Sequence, residues 1–380
     1  MTPVLLVVVA LRLLVPLGIP RHPLPFLLAA LVLDAADQTV FQHLGGLPPD
    51  YERYDKALDV YYLTVTYAAV LRNWTEPTAM RIARFLWYYR LVGTALFETT
   101  DERWLLVVFP NTFEYLVVVY ELVRTRWDPH RLGPRTLLVV VVVLWVGVKV
   151  PQEVWLHVLR LDVTEEVAAH PGVLAPLGLV ATGLVAVGLR LRHRLPPADW
   201  PATTAVDDHL PAPPTSGRTS GRTSGRTSGR TSGRTSGLPV LAWRSRAFVR
   251  STAEKVVLVT LVSVVFVAVL EPRATTTQVV LSTAVFVVLN AVLSQLFVRH
   301  GAHWRTTLAQ FAAMSATNAG IVLVLTVLRG RLEADADPGD TLFLVLLASL
   351  VVTLYDRCRS RRRLRLASER TPEAPAAPGG

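Results

Sequence analysis

Charge is what this chain has least of. Of its 380 residues 18% are charged and 51% hydrophobic, whereas a soluble domain carries about a quarter charged residues. That balance excludes a water-soluble fold for most of the length. Cysteine is reduced to Cys358 alone, which rules out an internal disulfide and a thiolate metal site. Lysine is also scarce, with only Lys56, Lys149 and Lys255 among 39 Lys and Arg residues. The bias toward arginine, with abundant Val, Leu and Ala, points to a GC-rich bacterial genome. The common catalytic motifs are missing too. No Walker loop, no Gly-x-Gly-x-x-Gly, no His-Glu-x-x-His and no Gly-x-Ser-x-Gly occurs, and the nine histidines are scattered. ATP hydrolysis, dinucleotide chemistry and zinc chemistry therefore have no sequence basis.

What is present is a series of apolar blocks of about 16 to 23 residues, each long enough to cross the hydrocarbon core as a helix. Mean hydropathy is +0.39. The pattern predicts an all-α, polytopic integral membrane protein of ten or eleven transmembrane helices in two bundles. Spans are expected at 4–19, 24–42, 56–71, 80–97, 104–123, 136–158, 172–190, 254–271, 278–298, 306–328 and 341–355. Residues 1–19 lack a charged start and are interrupted by Arg12, so they read as a retained span rather than a signal peptide.

Four regions follow. Residues 1–192 form an N-terminal membrane block, and 193–243 a linker that contains Thr-Ser-Gly-Arg five times over 215–234. Residues 244–356 form a second membrane block of four helices, and 357–380 a basic, then Pro/Ala-rich tail. The repeats carry no apolar residue, so they are expected to stay disordered. The net charge of +10 gathers in loops and tail, for example Arg359, Arg361, Arg362, Arg363 and Arg365. Basic loops alternate with acidic ones from residue 124 onward, which places linker and C-terminus in the cytoplasm of a bacterial inner membrane. The partners this predicts are the bilayer itself and anionic lipids at the basic loops, with no nucleic acid. Segment 80–97 carries Arg81, Arg84 and Arg90. If it crosses the membrane, loop 43–55 is external; if it lies in the interface, that loop is cytoplasmic.

The densest polar constellation spans the end of the second block and the start of the third. Asp34 and Asp37 share a helix face at i and i+3, and Asp55 and Asp59 do so at i and i+4. A hairpin between them would gather four carboxylates, a set suited to Mg²⁺ or Mn²⁺, other cations or protons. Deeper in the bilayer, Glu114 and Arg90 are each expected near mid-span, and an intramembrane ion pair between them is the natural solution to burying both. Pro110 should open the helix just before Glu114 and expose carbonyls. Lys149 and Glu153 stand at i and i+4, where they can neutralise each other or snorkel to the surface. Glu254 and Lys255 fit an interfacial anchor, and Asn290, Gln295, Gln310 and Asn318 fit helix-to-helix hydrogen bonds.

The spacing of Asp34, Asp37, Asp55 and Asp59 resembles the signature of the CDP-alcohol phosphotransferase family, Asp-x2-Asp-Gly-x2-Ala-Arg-x8-Gly-x3-Asp-x3-Asp. The resemblance covers about 26 residues. Gln38, Phe41, Gln42 and Tyr51 stand where the family has Gly, Ala, Arg and Gly. It implies a divalent metal held chiefly by the first three aspartates, with Asp59 as the base that activates an acceptor alcohol. Three functional readings result. The leading one is a transporter or channel-like protein with a polar pathway in the first block. The others are a CDP-alcohol phosphotransferase-like enzyme, active or degenerate, and a non-catalytic membrane scaffold.

Overall fold

The computed structural model describes residues 3–44, 51–153, 246–270, 307–328 and 338–370, with isolated positions at 182, 186, 190, 197–199, 286–288 and 290. The expected spans at 172–190 and 278–298, the repeat linker and residues 371–380 fall wholly or largely outside the described residues. Among the described residues every regular element is helical. In chain order these are α1 (Pro3–Leu14), α2 (Pro23–Leu44), α3 (Tyr51–Asn73), α4 (Pro77–Thr100), α5 (Trp104–Val108) and α6 (Thr112–Arg124). They continue with α7 (Pro134–Val142), a π-helical stretch at Val143–Lys149, α8 (Val150–Glu153), α9 (Arg246–Leu270), α10 (Thr307–Leu328) and α11 (Pro338–Arg370).

Local chemistry sets the boundaries. α4 begins with Pro77 at its first position, where a missing N–H costs nothing, and the Glu76 side chain accepts from the Ala79 N–H. It ends at Asp101, whose φ of 59° is the left-handed conformation that stops a helix. Asn111 caps α6 by accepting from the Glu114 N–H at 3.4 Å. Between α5 and α6 the chain breaks at Phe109 to Asn111, because Pro110 has no N–H to continue the ladder. The carbonyls this frees are taken by side chains, Val108 by Tyr89 and Phe109 by Arg90. Here α4 approaches so closely that a Cβ on Gly93 would run into Phe109.

Among the described residues four stretches are long and apolar enough to cross a bilayer, Trp104–Arg124, Pro134–Gln152, Arg250–Ala268 and Thr341–Leu366. Helices α2, α3 and α4 are as long but more charged, and Asp37, Lys56, Arg72 and Arg90 on them are buried. The protein is thus an α-helical membrane protein. Pro134–Gln152 turns most of its surface outward, including Leu138, Val139, Val142, Val143 and Val146.

Among the described residues the two apolar blocks share one core rather than packing as separate bundles. One continuous core joins Tyr67, Trp87 and Phe113 from the first to Leu258, Val262, Val265, Val351 and Tyr355 from the second. Helices α9 and α11 lie against α3 and α4. Lipid tails are as apolar as leucine, so this union must rest on packing and interhelical hydrogen bonds. Glu254 supplies several of the latter. It accepts from Tyr67 at 2.5 Å, pairs with Arg84 at 3.2 Å and Arg359 at 2.9 Å, and its neighbour Lys255 pairs with Asp356 at 3.0 Å. The expected interfacial anchor is therefore a clamp between the blocks.

Two contacts fix which helix ends lie together. Arg362 donates to the Trp74 carbonyl at 3.0 Å, and Arg72 and Asn73 donate to the Pro20 carbonyl. The α1–α2 turn, the α3–α4 turn and the arginine-rich part of α11 therefore share one end of the bundle. Lys56 packs over Phe97 at the other end, so α3 and α4 run antiparallel.

Candidate functional site

The four aspartates that the sequence singles out converge, and they do so around Arg12. Its guanidinium reaches across from α1 to bond Asp34 and Asp37 on α2 and Asp55 and Asp59 on α3, the last two at 2.7 and 3.1 Å. Arginine suits this place because its planar fork offers several donors at fixed angles. Asp37 is sealed, at 1% side-chain exposure, and its second oxygen accepts from Tyr51 at 2.5 Å. Asp34, Asp55 and Asp59 keep 28%, 31% and 20% exposure and are open to an external ligand. One oxygen from each of these three lies within 4.8 Å of the others.

The cluster thus has two parts. Asp37 is an internal partner of Arg12, while Asp34, Asp55 and Asp59 share that cation and stay partly exposed. Four carboxylates against one guanidinium leave three formal negative charges in excess within these five groups. Such an excess calls for protons or further cations. By spacing, the three open carboxylates fit a divalent ion, with a resident organic cation already among them. Arg12 had a legible signal in the sequence, since a charge inside an apolar helix requires a partner. Its partners are identified only when α1, α2 and α3 are packed.

The second expected site changes more. Arg90 and Glu114 form no ion pair. Arg90 donates to the Phe109 carbonyl at 3.1 Å, so the break at Pro110, not a carboxylate, satisfies it. Glu114 is buried and accepts from Tyr62 and from Asn111, each at 2.5 Å. Among the charges acting on it, Lys149 outweighs Arg90. Tyr62 stands three residues after Asp59 on α3, on nearly the same face. No local feature distinguishes it from the other tyrosines of α3.

Lys149 does not snorkel. It is 6% exposed, closes the π-helical stretch and places its ammonium 4.3 Å from the centre of the Tyr115 ring. The Tyr115 hydroxyl in turn donates to Gln152 at 3.1 Å. The α-helical turn Val150–Glu153 follows directly on Lys149. The side chain of Glu153 lies outside the described residues. Further along α6, Glu121 accepts from Trp74 at 2.7 Å and pairs with Arg124 at 3.3 Å.

In the second block the expected amide bonds are present. Asn290 and Asn318 exchange hydrogen bonds at 2.8 and 3.0 Å, Asn318 also donates to Ser349, and Gln310 accepts from Arg357. Gln295 lies outside the described residues. These groups satisfy one another, which suits packing rather than ligand binding.

Fold and site together define an α-helical membrane protein with a buried polar chain in its N-terminal block. No protein-family model matches the chain, and no curated protein or solved structure does.

Proposed function

We propose that the chain is a cation-handling transporter or channel-like protein of a bacterial cytoplasmic membrane, with its pathway in the N-terminal block. The observation that carries this reading is the gathering of four aspartates on one arginine, with three negative charges left to be balanced. Depth supports it. Asp59 lies about 21 Å of helix rise along α3 from Asn73, and Asp34 about 16 Å along α2 from Pro23. The hydrocarbon core is about 30 Å thick, so the cluster sits within the far half of the membrane as measured from the arginine-rich end. Glu114 and Glu121, about 10 Å apart on α6, continue the polar series toward that end. Charges at such depth mark ion and proton routes more often than structural pairs.

The same contacts support a topology for it. The arginines of α11 favour the cytoplasmic side, so the aspartate end of α3 faces outward. Segment 80–97 then crosses as α4, giving eleven spans, with linker and tail in the cytoplasm. The test is flux. The full-length chain in liposomes should pass one of H⁺, Na⁺, K⁺ or Mg²⁺ down an imposed gradient, and Asp55→Asn and Asp59→Asn should lose that flux. Absence of flux for all four ions dismisses the reading.

A phosphotransferase-like enzyme is the second reading, which rests on the sequence spacing of Asp34, Asp37, Asp55 and Asp59. It requires the aspartates to meet cytoplasmic CDP-linked substrates, whereas the arginine-rich tail gathers at the opposite end of α3. A rise in melting temperature with Mg²⁺ that CDP increases further would favour it over transport.

A further inference from the structure

Glu114 is a carboxylate in the middle of an apolar span, and everything placed directly against it is a hydrogen-bond donor. The Tyr62 hydroxyl and the Asn111 side-chain nitrogen both reach the same oxygen, Oε2, at 2.5 Å. The Asn111 amide is held in that orientation because its oxygen accepts from the Glu114 N–H. A metal ion at this point would meet N–H and O–H hydrogens where it needs lone pairs. A proton meets no such conflict.

Charges reach Glu114 from the packed elements around it. Lys149 approaches from the π-helical stretch, Asp59 from α3 and Arg90 from α4, while Asp34 on α2 acts on Tyr62. Lys149 is more than nine-tenths buried, with its ammonium over the ring of Tyr115. Among the described residues no carboxylate pairs with it directly, and Glu114 is a carboxylate on which its charge acts. The π-helical stretch ends on this lysine, and interruptions of that kind recur at functional sites.

We propose that Glu114 is a proton-binding site of the membrane interior, with Lys149 as its fixed countercharge and Tyr62 as its proton entry. This deepens the transport reading, on which it rests, by naming the proton as an ion that the pathway carries. In the loading step Tyr62 gives its hydroxyl proton to Oε2 of Glu114 and takes one at its oxygen from a hydrated proton on its other side. One O–H bond breaks and one forms at Tyr62, one forms at Glu114, and water is released. The Glu114–Lys149 pair goes from neutral to singly positive, with no change of redox state.

The experiment is a pH-dependent infrared difference spectrum of the full-length chain in nanodiscs, read at the protonated-carboxyl stretch. A buried carboxyl band should appear on acidification, vanish in Glu114→Gln and return in Glu114→Asp. Lys149→Met should move its midpoint to higher pH by about one unit, since removing a nearby positive charge favours the neutral acid. Tyr62→Phe should retain the band at a shifted frequency, having lost one hydrogen bond. Unchanged helical circular dichroism and monodisperse elution separate these effects from misfolding. A carboxyl band of which Glu114→Gln removes no component, a midpoint of that component that Lys149→Met leaves in place, or no band while the protein stays folded overturns the proposal. Cation flux in liposomes without the band leaves the transport reading standing and removes this one. The band without flux does the reverse.

Discussion

Arg12 on α1 and Asp37 on α2 are bonded across the helix pair and both side chains are almost fully sealed, at 3% and 1% exposure. The other three aspartates touch the same guanidinium but remain partly open. Arg12 therefore holds together a set of acids that would otherwise repel one another inside the bundle.

Removing that cation should be among the most damaging single changes. Arg12→Leu is expected to cost about 3 to 5 kcal/mol, the range for stripping one partner from a buried ionic group. Because the freed carboxylates offer a stronger cation site, Mg²⁺ should raise the melting temperature of Arg12→Leu more than that of the wild type. Melting curves in detergent with and without Mg²⁺ measure both effects. Equal response of the two proteins would show that Arg12 is not the resident counter-ion.

The shared core predicts that the linker is dispensable for assembly. Deleting residues 215–234 should leave insertion and melting unchanged, since loop-closure entropy varies only slowly with length. Chains 1–214 and 235–380 made as separate pieces should still co-purify. Glu254→Ala should weaken that association, because it leaves Arg84, Arg359 and Tyr67 without their common acceptor. Co-purification unaffected by Glu254→Ala would assign the union to packing alone.

At Gly93 the limit is space. A Cβ there collides with Phe109, and the backbone of α4 cannot retreat without disturbing the bonds from Arg90 and Tyr89 to the freed carbonyls. Gly93→Leu should destabilise by about 1 to 3 kcal/mol, as overpacking does elsewhere. A combined Gly93→Leu, Phe109→Gly variant should recover part of the loss, because it removes the Phe109 Cβ as well as the ring, and thermal denaturation of the single and double variants decides this.

Asn318 bridges Asn290 and Ser349 inside the second block. Asn318→Leu leaves the Asn290 side-chain oxygen without its donor and should cost about 1 to 3 kcal/mol, the penalty of an orphaned buried polar group. Asn290→Leu combined with Asn318→Leu should be less harmful than the sum of the two single changes. Additive losses in a melting assay would count against the pairing.

Orientation has a separate check. Cysteine accessibility at residue 48, introduced into a Cys358→Ser background, should report the external side, while reporters at 225 and 375 should report the cytoplasm. All three on one side would place the aspartates at the wrong face for the pathway described above.

Some of this was legible in the chain alone. Runs of apolar residues determine helices in a membrane whatever their neighbours do, because an unpaired backbone group in hydrocarbon must be satisfied within its own segment. The helix break at Pro110 and the spacing of Asp34, Asp37, Asp55 and Asp59 are equally local, being set by a missing N–H and by 3.6 residues per turn. The partner of each buried charge was not local. Carboxylates are the usual counter-ions, which points Arg90 to Glu114, yet Arg90 donates to the freed carbonyl of Phe109. Lys149 lies over the ring of Tyr115, 34 positions back in the chain. Arg12 and Asp59 are 47 positions apart, and Glu254 meets Tyr67 across 187. Sequence spacing carries no information about such contacts. Hydrocarbon hydrates no charge, so each buried group takes whichever complementary atom the packed helices bring within reach, and only the tertiary structure decides which atom that is.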